Sequence, residues 1–144
     1  MKTSKKRIVL ALALILCTSF SAFAATPLSR NSQIAPASPR YVNIISVSAG
    51  LGNGGGQLEA DTGFALYSTH KYIVESVVKS TDGSVQQTKS AYGTASASSA
   101  QTVQLYFSVP KNKTYKHTAT LKVLDSSGNV IEQTSVTSAS YLYG

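Results

Sequence analysis

The sequence predicts an all-β fold, a single antiparallel β-sandwich of about seven strands, and three observations carry that reading. Apolar residues recur at every second position over long stretches, the period of a half-buried strand. Clusters of Gly, Asp, Asn and Ser interrupt those stretches where hairpins need them. Beyond residue 24, no stretch shows a 3.6-residue apolar period.

A targeting segment precedes the domain. Lys2, Lys5, Lys6 and Arg7 form a basic head, Ile8 to Leu16 an unbroken apolar run, and Ala22-Phe23-Ala24 a small-residue ending. These are the three parts of a secretory signal peptide over residues 1–24, cleaved between Ala24 and Ala25. The apolar run is far shorter than the roughly 20 residues that span a bilayer, so stable membrane insertion is not expected. Cys17 follows Leu14-Ile15-Leu16, a poor lipoprotein site because a small residue belongs where Leu16 stands. Residues 25–40 hold Pro27, Pro36 and Pro39 among small polar residues and read as a flexible linker. The folded domain is expected over residues 41–144.

Export and composition narrow the function. The formal charge of +7 includes four basic residues of the leader; without them nine Lys and Arg face six Asp and Glu, a net charge of +3. The basic residues are spread one or two per strand rather than gathered, so a nucleic-acid partner is not expected. The charge allows mild attraction to anionic cell-wall polymers or lipid headgroups, or serves ordinary solubility. The single cysteine, Cys17, lies in the leader, which leaves the exported domain without disulfide, thiol nucleophile or cysteine metal site. The domain must therefore be held by its core, which a chain of this size supplies.

The strands follow in order. Strand 41–49 ends at Gly50–Gly56, read as a flexible connection. In 57–67, Leu58, Ala60, Thr62, Phe64 and Leu66 face one way, and Gln57, Glu59, Asp61 and Gly63 the other. Strand 71–80 turns at Thr81-Asp82-Gly83-Ser84 into 84–92, and Thr94 to Ala100 is a small-residue crossing. In 101–109, Val103, Leu105, Phe107 and Val109 alternate with polar residues and Tyr106. In 113–124, Tyr115, His117, Ala119, Leu121 and Val123 do the same. Asp125-Ser126-Ser127-Gly128-Asn129 then turns into 130–142, whose weak alternation leaves its register loosely specified. Seven such strands in about 100 residues is the count of an immunoglobulin-like sandwich.

Tyr115 opens the sixth strand just after Pro110-Lys111-Asn112, and it resembles the tyrosine corner of such sandwiches, where a phenol bonds to backbone upstream. The run Asp125 to Val130 resembles the following hairpin of fibronectin-type and related bacterial domains. As a whole the chain resembles the small secreted Ig-like proteins of Gram-positive bacteria, over about residues 41–143. That resemblance implies a fold and a secreted, cell-surface setting, but no activity.

Chemistry-bearing residues are sparse. His70 sits at a loop-to-strand junction. His117 falls on an inward row, where a neighbouring hydroxyl would satisfy it. Glu59 and Asp61, two apart on one face, are about 7 Å apart at Cα, a spacing open to a glycosidase pair or a calcium site. A hydrolase built on Glu59, Asp61 and His117 is one alternative, although solvated carboxylates and a core histidine explain the same residues. Gly52 to Gly56 lacks the following helix that a phosphate loop needs. Asn112-Lys113-Thr114 is a sequon that matters only in a eukaryote. No cofactor, metal or catalytic residue is expected.

Binding features are clearer. Ile73 and Val77 share a face with Lys71, Glu75 and Lys79, opposite Tyr72, Val74 and Val78. Apolar residues on both faces mean either a central strand covered by long side chains such as Lys122, or a contact surface. All eight tyrosines follow the leader, and Tyr suits recognition surfaces as well as ordinary strands. The expectation is a secreted, non-enzymatic binding module using Lys71, Ile73, Val77, Lys79 and Tyr106, with a cell-wall polymer or a protein as partner. Two rivals are a small exported antimicrobial or toxin-like effector and a structural subunit assembling through its edge strands.

Overall fold

The computed structural model describes the backbone of Gln33–Ala35 and residues 41–144. The expected leader, the cleavage site expected at Ala24 and Ala25, Cys17 and most of the expected linker lie outside the described residues. The strands are β1 Gln33–Ala35, β2 Ile44–Gly54, β3 Gln57–Leu66, β4 His70–Ser80, β5 Val85–Ala95, β6 Gln101–Phe107, β7 Lys113–Leu124, β8 Val130–Thr137 and β9 Tyr141–Tyr143. No helix forms among the described residues. One antiparallel sheet runs β1-β2-β3-β6; the other runs β5-β4-β7-β8, with β9 also on β7.

Alternation builds the core, because each strand points every second side chain at the opposite sheet. Val47, Phe64 and Val103 from the first sheet meet Val74, Leu121 and Val123 from the second in one cluster. Leu58, Phe107, Val78, Tyr115 and Tyr143 form a second cluster at the other end. Tyr72 packs edge-on against Phe64, with ring centroids 4.8 Å apart. Each of these large side chains contributes about 1.5–3 kcal/mol through burial.

The strand expected over 84–92 runs on to Ala95, into the expected crossing, because Gly93, Thr94 and Ala95 pair with Tyr72, Lys71 and His70. Four further differences from the sequence reading each have a physical reason. The connection expected at Gly50–Gly56 is largely strand: β2 pairs with β3 as far as Gly54↔Gln57. Only Gly55 and Gly56 turn, at φ +64° and +92°, the left-handed pair that a two-residue hairpin requires. Gly50, Gly52 and Gly54 carry no side chains with which to show alternation. Second, the strand expected to start at 41 starts at Ile44, because Glu132 accepts the Val42 and Asn43 amides at 2.8 and 2.7 Å and draws that segment toward β8.

Third, the strand expected over 130–142 is broken. Thr137 opposes Thr118 and Tyr141 opposes Tyr115, so three residues face two and the chain bulges. The Ser138 hydroxyl accepts the His117 amide at 3.0 Å, and the Ser138 amide donates to the His117 carbonyl at 2.8 Å. Fourth, Gln33–Ala35, within the stretch read as linker, pair with Val47–Ala49 of β2. Three residues are too few for a period to be visible in sequence.

Candidate functional site

The register of the second sheet decides which side chains meet on its outer face. Inward residues of β4 and β7 (Val74, Ser76, Val78; His117, Ala119, Leu121) are buried, so their neighbours face out. Ile73 lies directly between Tyr92 of β5 and Lys122 of β7. Val77 lies between Thr88 and Thr118, Glu75 between Ser90 and Thr120, and Lys79 opposite Lys116. Lys71 closes the other end, between Thr94 and Leu124.

Four of the five residues expected to bind therefore share one surface. Ile73 and Val77 are half-buried rather than open. Lys122 gives the cover: its stem crosses beside Ile73 and its ammonium donates to Glu75 Oε1 at 2.7 Å. The fifth residue, Tyr106, does not join them. It sits on β6 in the first sheet, on the other side of the molecule. Its ring lies over Gly54, where a Cβ would stand 2.5 Å from it. A strand's own alternation does not say which sheet it enters, so Tyr106 and Ile73 looked equivalent in sequence.

Tyr92, not Tyr106, is the tyrosine that lies beside Ile73 on this face. At 84% exposure it is the most open large apolar side chain described. It borders an open groove of about 630 Å³ also lined by Lys71, Ile73, Glu75, Ser90, Thr94 and Leu124. Only the β4–β5 register puts Tyr92 beside Ile73, and the sequence does not display that register.

The two outer faces differ in charge. On the second sheet Lys71, Lys79, Lys116 and Lys122 stand against Glu75 alone. On the first sheet the charged outward residues of β3 are Glu59 and Asp61, with Gly50 and Gly52 directly across the ladder. Gln104 donates to Glu59 at 3.1 Å. One Asp61 carboxylate oxygen is buried without a hydrogen-bond partner.

The residues of the alternative hydrolase do not converge. Glu59 and Asp61 lie on the outer face of the first sheet, whereas His117 is fully buried between the sheets. His117 Nδ1 donates to the Gly50 carbonyl at 3.3 Å, and Nε2 accepts from the Ser76 hydroxyl at 3.0 Å. Burial holds the imidazole down at about 4, offset in part by the Gly50 carbonyl and the Asp61 charge, so the ring is neutral. Ser76 is itself fully buried, so this pair meets no substrate. The second histidine, His70, bridges the Ser68 hydroxyl at 2.9 Å and the Leu124 carbonyl at 3.3 Å. Among the described residues no group of three or more His, Asp or Glu side chains gathers around a point that could hold a metal.

Tyr115 is buried beside Tyr143, and its hydroxyl donates to the Pro110 carbonyl at 2.7 Å. Desolvation pushes its phenol up. Asn112, first residue of the sequon, takes φ +59° at this corner, and its amide donates to the Tyr143 carbonyl. No family model, curated protein or solved structure matches the chain.

Proposed function

We propose that the protein is a secreted, non-enzymatic binding module with an immunoglobulin-like sandwich. It docks at the cell envelope through the outer face of the β5-β4-β7-β8 sheet. The observation that carries this is the convergence of Lys71, Ile73, Val77 and Lys79 with Tyr92 on one lysine-rich surface. A recognition surface needs an aromatic anchor, adjoining apolar area and a charged rim, and this face has all three.

Two features support the finer fold reading. The chain crosses between sheets at β3–β4, β5–β6 and β6–β7, as Greek-key sandwiches do. The Tyr115–Pro110 bond has the geometry of a tyrosine corner. Assembly through the β6 edge is disfavoured, because Gln87 and Lys89 of β5 already donate to the Ser108 and Tyr106 carbonyls. Lys89 also lies over the Phe107 ring, 5.4 Å from its centroid.

The test is co-sedimentation of the purified protein with intact Gram-positive cell walls. Ile73→Asp combined with Val77→Asp is expected to abolish sedimentation while the circular dichroism spectrum and unfolding midpoint stay close to wild type. Undiminished sedimentation by a folded double variant would overturn the assignment of this face.

A further inference from the structure

We infer that a second copy of this chain pairs with the free edge of β5, antiparallel and centred on Ala91. This stands independently of what the outer face binds. The first observation is which edges of the sandwich are guarded. Among the described residues β5 pairs with β4 alone, so its other side presents unpaired N–H and C=O groups. β5 is 11 residues long, holds no proline and carries a single charge, Lys89. That charge is turned inward, over the Phe107 ring and onto the Tyr106 carbonyl. The other edges are blunted. β1 is only 3 residues long, and along β6 the Tyr106 and Ser108 carbonyls already accept from Lys89 and Gln87. β8 stops at the Ser138 bulge and holds Tyr41–Asn43 through Thr134 and Glu132.

The second observation lies within the sheet. On its β7–β8 side the outer-face hydroxyls bond across the ladder, Thr118 with Thr137 at 3.0 Å and Thr120 with Ser135 at 2.7 Å. On β5 the outward residues are Thr88, Ser90, Tyr92 and Thr94. None of their side chains has a hydrogen bond among the described residues. The same Ser and Thr pattern is therefore complete on one flank of the sheet and lacks its opposite strand on the other.

The third observation fixes the register. A two-fold axis through the sheet opposes residues of the same face, so the pairing centres on one residue. The β4–β5 ladder is regular from Gln87 to Ala95 and shifts beyond Gln87, and the middle of that regular stretch is Ala91. Centred there, Thr88 opposes Thr94 of the second copy, and Ser90 opposes its Tyr92. The two Tyr92 rings become diagonal neighbours, about 7–8 Å apart at the backbone and within reach of each other. Lys89 opposes Gly93, which sets the two lysines roughly 13 Å apart along the ladder. Centring on Lys89 would oppose lysine to lysine, and centring on Ser90 would set them diagonally. Each copy consumes the other's free edge, so the assembly closes at two chains and joins their outer faces side by side.

The test is sedimentation equilibrium of the purified protein across a wide concentration range. A reversible monomer–dimer equilibrium is expected. Ser90→Lys combined with Tyr92→Lys sets like charges opposite each other and should weaken association at least tenfold, with the circular dichroism spectrum unchanged. Val85→Lys, exposed on the same strand but outside the regular stretch, should leave association as it is. Cross-linking tests the register in a Cys17→Ser background, where an introduced cysteine is the only one. Ala91→Cys is expected to give a disulfide-linked dimer on mild oxidation, because directly opposed Cβ atoms lie within reach of a disulfide. Thr88→Cys is expected to stay unlinked. A protein that is monomeric at every concentration would overturn the pairing and leave the edge to a strand of another protein. Open-ended oligomers, full association of the folded lysine pair, equal losses from Val85→Lys, or equal cross-linking through Thr88→Cys would also overturn it.

Discussion

Acid is expected to destabilise this protein through His117, in a window set by its burial. In the unfolded chain the imidazole titrates near 6.5; in the folded protein desolvation holds it at about 4. Between these values the unfolded state binds a proton that the folded state refuses. Stability is therefore fully present above pH 6.5, falls as pH drops toward 4, and levels off below. The slope is about 1.4 kcal/mol per pH unit and the whole loss roughly 3 kcal/mol. At a urea dependence of about 1–3 kcal/mol per molar, the unfolding midpoint should fall by roughly 2 M between pH 7 and pH 4.

The assay is urea unfolding followed by circular dichroism at several pH values, for wild type and His117→Gln. The glutamine amide can still donate to Gly50 and accept from Ser76, but it does not titrate. Its midpoint should be nearly constant across the window. Asp82 and Asp125 do not confuse the result. Ser80 and Ser84 hold Asp82 at about 2, so its contribution is lost only as pH falls from 3.8 toward that value. Asp125, lowered chiefly by the Asn129 amide, likewise acts below 3.8. A flat wild-type midpoint, or the same slope in His117→Gln, would refute the reasoning.

Three further outcomes are expected from chemical denaturation. Tyr115→Phe leaves the Pro110 carbonyl without its donor and should cost about 1–2 kcal/mol. Ser138→Ala strips the buried His117 amide of its acceptor at the β8–β9 break, with an expected loss of about 1–3 kcal/mol. Thr62→Val should instead stabilise by about 1 kcal/mol, since the Thr62 hydroxyl is buried in the core with no partner; a loss of stability would show that the hydroxyl is satisfied in solution.

The sequence displayed the strands whose side chains alternate, and β3, β6 and β7 fall within two residues of their expected limits. It hid what has no side chain or no length. The glycines of β2 could not show a period, β1 is three residues long, and the Ser138 bulge looks like any polar stretch. The candidate face was legible along β4, because Lys71, Ile73, Val77 and Lys79 lie on one strand. Its lateral members were not. Tyr92, Lys116 and Lys122 join it only through inter-strand register, and Tyr106 leaves it because β6 enters the other sheet.

The most direct test of the binding face is a two-dimensional amide NMR titration of the labelled protein with solubilised cell-wall polymer. Shifts should concentrate at Lys71–Lys79, Tyr92 and Lys116–Lys122, with the Glu59–Asp61 face unmoved. Shifts centred on Glu59, Asp61 and Tyr106, or none at polymer concentrations that sediment the protein with walls, would contradict the account.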